Sequence, residues 1–175
     1  MAVFEYKGAK PSLGKDCYIA DSAEVIGNVF FGDGVYVGPG AKIRGDYGTI
    51  KIGNGTAIEE NCVIHARPNE VCTIGNMVTL GHMAIIHNAM LIDDYAIIGM
   101  GAIVSDWAVI GKWAVIAEGG LVKNRQEIPP EKIAAGMPVR VIADVGAKHK
   151  ADWTGFKKIY IDLAQTYRSD LKRID

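Results

Sequence analysis

The sequence predicts a mainly β fold, a parallel β-helix followed by one C-terminal helix, and three observations carry that prediction. An aliphatic side chain returns every six residues over most of the chain, glycine repeatedly follows it, and a helical apolar spacing replaces that period only near the end.

The series opens at Leu13, Ile19, Val25, Phe31, Val37 and Ile43, resumes at Ile52, Ile58 and Ile64, and then runs unbroken from Ile74 through Leu80, Ile86, Ile92, Ile98, Val104, Ile110 and Ile116 to Val122. A period of six is neither the 3.6 of a helix nor the 2 of a half-buried strand. The fourth residue after the aliphatic is usually small or β-branched, as at Ala23, Val35, Ala84 and Ala102. Each unit therefore reads as a short strand that buries one side chain and is stable only when stacked on its neighbours. Glycines such as Gly53, Gly81 and Gly99 fall where corners need a permissive backbone.

The period ends at Lys123-Asn124-Arg125, and the clusters Ile128-Pro129-Pro130 and Gly136-Met137-Pro138 read as a loop leading out of the solenoid. From about Asp152, Trp153, Phe156, Ile159, Tyr160, Leu163, Tyr167, Leu171 and Ile174 recur at three- and four-residue spacing, which predicts an amphipathic helix packed back along the β-helix. The expected organisation is residues 1–140 as the β-helix with its exit loop and 141–175 as the helix.

At 175 residues, 49% hydrophobic and 22% charged, the chain is long enough to bury a core as one domain. Its net charge of −1 leaves no excess of Lys and Arg to neutralise phosphates, so no nucleic-acid partner is expected. The segment Met1-Ala2-Val3-Phe4-Glu5-Tyr6-Lys7 lacks the basic start and apolar run of a secretory signal, and no apolar stretch of about 18 residues could span a membrane. A cytoplasmic protein is expected. Cys17, Cys62 and Cys72 form no Cys-x-x-Cys pair, which argues against a disulfide framework, and Cys62 takes the small inward position of its repeat.

Three of the four histidines, His65, His82 and His87, lie within one short stretch. Neutral imidazole is a common ligand for zinc and similar metals. With the repeat around them, the set Ile43-Arg44-Gly45-Asp46, Val63-Ile64-His65-Ala66 and Gly81-His82-x4-His87 resembles the γ-class carbonic anhydrases, within the hexapeptide-repeat proteins. The resemblance covers roughly residues 11 to 140. It implies a left-handed β-helix of triangular section with three repeats per coil, a homotrimer, and metal sites between subunits, each with two histidines from one subunit and the middle one from the next. It also implies an Arg44–Asp46 ion pair across the interface.

Three repeats per coil place the side chains. The aliphatic positions 64, 74, 80 and 86 complete one coil, so His65 and His87 stack, with Arg44 one coil below His65. Adjacent strands lie about 4.8 Å apart, a separation two Zn–N bonds can bridge. His82 follows Leu80 by two and belongs to the preceding face, so the third ligand most simply comes from another copy, and a cyclic trimer closes that contact. Glu59 falls one coil below Gly81-His82 and arrives with it.

Three imidazoles leave a divalent metal an open position, which lowers the pKa of bound water to about 7 and gives a nucleophilic hydroxide. The resemblance implies attack on carbon dioxide to form bicarbonate, with zinc, or iron(II) or cobalt in its place. Glu59 stands where the best-known γ-class pattern has glutamine, Ala57 where it has asparagine, and the segment from Ala66 to Thr73 is too short to resemble that family's long acidic loop. Tyr160 lies in a segment resembling one whose tyrosine approaches the metal pocket; a packing role is its alternative. The rival functions are a hexapeptide acyltransferase or CoA-thioester hydrolase, and a non-catalytic metal-binding or scaffold trimer.

Overall fold

Three ladders of buried aliphatic side chains, one per face, run the length of the molecule. On the first face Ile43, Ile64, Ile86, Val104 and Val122 pair in parallel register. On the second Ile52, Ile74, Ile92, Ile110 and Ile128 do so. On the third the series is Val37, Ile58, Leu80, Ile98, Ile116 and Ala134. All are at most 4% exposed. Strands of two or three residues cannot stand alone, and burial worth about 1.5–3 kcal/mol per large aliphatic side chain holds the stack together. The result, seen in a computed structural model that describes residues 2–175, is a left-handed parallel β-helix of about 7 turns with one C-terminal helix.

Leu13, the first member of the series, is 41% exposed, because it sits at the open end of the stack, where among the described residues its neighbour Ser12 bridges only upward to Phe30. At the other end the pattern outlasts its sequence signature. Ile128 and Ala134 fill the next two inward positions, so Pro129 and Pro130 occupy a corner of the solenoid instead of leading out of it. The strand Lys132–Gly136 then turns back on Val139–Asp144 in the antiparallel sense.

The break in period after Ile43 is not a loop. Residues Lys42–Ile52 form one strand that turns a corner, paired below with Glu24–Phe31 and above with Val63–His65 and Val71–Ile74. Gly45 permits this, since a Cβ there would lie 2.6 Å from the carbonyl oxygen of Asn28. The second break, between His65 and Val71, is a loop on the same corner.

Helix α1 (Ala147–Asp170) covers the third face. Tyr160 packs against Tyr36 with ring centroids 5.3 Å apart, and Tyr167 meets Tyr18 at 5.4 Å. The helix begins ahead of the apolar stripe, and Phe156 and Ile159 of that stripe remain more than half exposed. No helix among the described residues is long and apolar enough to cross a membrane.

Candidate functional site at two corners of the prism

The corner between the first and second faces carries the predicted column. Arg44, His65 and His87 each follow a buried isoleucine, so strand alternation turns them outward, and they are direct register partners. The His65 and His87 ring centroids are 5.5 Å apart. Asp46 Oδ1 lies 3.1 Å from His65 Nε2, and Arg44 Nη2 lies 3.2 Å from the same nitrogen, which can donate to the one or accept from the other but not both. Arg44 Nη1 and Asp46 Oδ2 are 3.9 Å apart within the chain. Burial first, then the Arg44 charge, lowers the His65 pKa against the opposing pull of Asp46, and this favours the neutral imidazole that a metal requires.

His87 is held from behind. Its Nδ1 donates to Asp106 Oδ1 over 2.8 Å, an arrangement that in a neutral ring puts the lone pair on Nε2. Asp106 is buried and also accepts Arg67 Nε and Nη2, each at 2.8 Å. The hydrogen bonds from Arg67, then those of His87, hold the Asp106 carboxyl below the ordinary range against the effect of its burial.

The corner between the third and first faces carries His82. Its Nδ1 lies 2.5 Å from Glu60 Oε2, while Glu59 Oε2 lies 3.2 Å from Nε2 and accepts the His82 backbone N–H at 3.1 Å. The preceding Gly81 lets the chain pass under the next coil, where a Cβ would come 2.9 Å from Met100 N. Glu59 is 6% exposed. Burial, reinforced by the hydrogen bond to Glu59, pushes the Tyr160 hydroxyl well above its ordinary value. One turn earlier on α1, Lys157 is buried, with Nζ 3.0 Å from Thr79 Oγ1 and 3.4 Å from the Ala96 carbonyl. Desolvation lowers its pKa to about 7.

Within one chain, then, the residues expected from sequence form two separate groups: Arg44, Asp46, His65 and His87 at one corner, His82, Glu59 and Tyr160 at another. Among the described residues no three His, Cys, Asp or Glu side chains of one chain converge on a metal position. Cys62 and Cys72 are buried, with thiols pushed up to about 12 by desolvation, which keeps them unreactive core.

Four participants were missed from sequence. The coil count that sets Glu59 below Gly81 also puts Glu60 under His82 and Asp106 above Asn88, so both are open to the same arithmetic. Arg67 lies in the loop that breaks the period, and Lys157 is a cation among apolar helix positions; neither carries a pattern signal.

No family model matches the chain. It is 36% identical over 166 residues, 91% of its length, to the mitochondrial γ carbonic anhydrase 2 of Arabidopsis thaliana, and spans 59% of that protein's length. A crystal structure of a Bacillus cereus protein provisionally named an acetyltransferase superposes with a TM-score of 0.93 at 32% identity, covering 98% of both chains. The hexapeptide transferase family protein of Anaplasma phagocytophilum superposes with a TM-score of 0.90 at 30% identity, covering 95% of this chain and 98% of its own. The chain belongs to the hexapeptide-repeat family and is a homologue of γ carbonic anhydrase.

The side chains of this γ carbonic anhydrase homologue fit a borderline divalent cation. His87 and His82 each have Nδ1 against a carboxylate, Asp106 and Glu60, an arrangement that orients imidazole for ligation through Nε2. Burial and the Arg44 charge, by lowering the His65 pKa, favour its neutral, ligating form.

Proposed function

We propose that three copies form a cyclic trimer in which His65 and His87 of one subunit and His82 of the partner subunit hold zinc, or iron(II) or cobalt, and that the site hydrates carbon dioxide to bicarbonate. The observation that carries this reading is the placement of the two half-sites at opposite edges of the first face. That face presents a row of outward aliphatic side chains in register, Val63, Ile85, Ile103 and Leu121, of which Val63 and Ile85 are 39% and 40% exposed. Turning three such faces toward one axis buries the row and brings each subunit's His82 corner against a neighbour's histidine column.

A divalent cation on three imidazoles supplies, when bound, a nucleophile from water at neutral pH. The chain's own residues do the rest. Asp106 and Glu60 fix the rings of His87 and His82. Glu59 Oε2, 3.2 Å from His82 Nε2, would give up that contact if the nitrogen held a metal; it would keep the His82 backbone N–H, and its carboxylate would be placed beside the metal to accept a proton. Tyr160 holds the same carboxylate. Arg44 and Asp46 lie beside His65, and on the family's pattern they pair across the interface.

The test is stopped-flow carbon dioxide hydration by protein loaded separately with zinc and, anaerobically, with iron(II), with His82→Ala as the blank. Activity above the blank supports the hydratase and names the working metal. A second reading, acyl transfer or CoA-thioester hydrolysis, draws support from a groove of about 560 Å³ beside His82, walled by Ile97, Ile116, Trp153 and Phe156, since pockets of that size accommodate drug-sized ligands and carbon dioxide needs far less. Stoichiometric metal without hydration would favour it.

A further inference from the structure

The loop between His65 and Val71 has work to do at the metal-facing column. We propose that Arg67, at the head of that loop, is a positioning residue for His87 and acts through Asp106. Arg67 Nε and Nη2 reach the two oxygens of Asp106 separately, so the carboxylate plane is fixed by a fork of two 2.8 Å bonds. A carboxylate fixed in this way presents Oδ1 to His87 Nδ1 in one direction only, again at 2.8 Å. Because an ionised carboxylate only accepts, Nδ1 must carry the proton, and the lone pair is assigned to Nε2. Without the fork, Asp106 could rotate about its side-chain torsions and the imidazole could take either tautomer.

The rest of the loop holds the guanidinium ready. The Arg67 backbone N–H donates to Asn88 Oδ1 at 3.0 Å, and the Asn88 amide donates to Glu70 Oε2 at 2.5 Å. Trp107 Nε1 donates to the same Glu70 oxygen at 2.6 Å. Its ring lies 5.2 Å from the Arg67 guanidinium carbon and 4.1 Å from that of Arg125. Asn88 is 1% exposed and follows His87 directly, so the brace and the ligand share one stretch of backbone. An ordinary surface ion pair contributes little; this one differs in that its acid partner is buried and has a third group to aim.

The consequence for metal affinity rests on the proposed metal site, whereas the tautomer lock does not. The experiment therefore reads both in the full-length chain. In metal-free protein, nitrogen-15 shifts of the His87 ring should show a single Nδ1–H tautomer. Arg67→Gln should give a mixture, with Arg67→Lys partly restoring it. Arg125→Gln, which loses a stacking partner of Trp107 but no contact to Asp106, should leave the wild-type tautomer. With zinc alone as the probe and a chromophoric chelator as competitor, Arg67→Gln should bind about 10–100-fold more weakly than Arg125→Gln. A pure Nδ1–H tautomer in Arg67→Gln would overturn the proposal whatever the zinc result. A mixed tautomer in a chain whose wild type binds no zinc would uphold the lock and count against the metal site.

Discussion

His65 and His87 are direct register partners one coil apart, with ring centroids separated by 5.5 Å. Nothing about the histidines themselves sets that spacing. It follows from Ile64 and Ile86, which are fully buried, and from the alternation that turns the next residue outward.

The first prediction concerns those isoleucines. Ile86→Ala should cost about 2–5 kcal/mol by leaving a cavity in a closely packed ladder, whereas Leu13→Ala, at 41% exposure, should fall within about 0.5 kcal/mol of wild type. Chemical denaturation of the two variants measures the difference. Equal midpoints would show that the ladder does not carry the stability assigned to it.

Lys157 makes a prediction about pH. Its folded-state pKa is lowered to about 7, well under its unfolded value, so the unfolded chain binds more protons between the two. The cost of burying the charge is complete below pH 7 and is relieved as pH rises toward 10.5. Lys157→Met should therefore be more thermostable than wild type at pH 7, with the gap closing by pH 10. A gap that stays constant across that range would mean the ammonium is not desolvated as described.

Glu59→Gln retains an oxygen for the His82 backbone N–H but loses the basic carboxylate. If Glu59 accepts the proton in hydration, kcat should fall about 10²-fold while zinc content and oligomeric state stay unchanged. Hydration as fast as wild type at every pH would return Glu59 to a purely structural role, and Tyr160 with it.

The solenoid was legible because its energy lies in one repeating choice, an aliphatic residue every six positions, and a single coil count then placed His65, His87, His82 and Glu59 at their two corners. What escaped sequence depends on chain paths that break the repeat. The strand Lys42–Ile52 turns its corner inside the break in period, paired below over residues 42–45 and 50–52 and above over 42–44 and 49–52, a path that no repeat announces. Arg67 reaches Asp106 from within a loop that follows no period. Ile128 and Ala134 continue the ladder past residues that read as a loop, because a proline tolerates a corner as readily as an exit.

His82→Ala should leave a folded trimer without metal, since its imidazole lies on the surface of its own subunit with its side chain 43% exposed. Analytical ultracentrifugation and metal analysis read the two properties separately. Retained stoichiometric metal would remove His82 from the ligand set.

The most direct test of the shared site is complementation. His65→Ala and His82→Ala subunits are mixed, dissociated and reassembled, and bound zinc is measured per trimer. If each site takes ligands from two subunits, mixed trimers recover sites in which a His65–His87 pair from the His82→Ala chain meets His82 from the His65→Ala chain. Mixed trimers that form but remain free of zinc would contradict the intersubunit site.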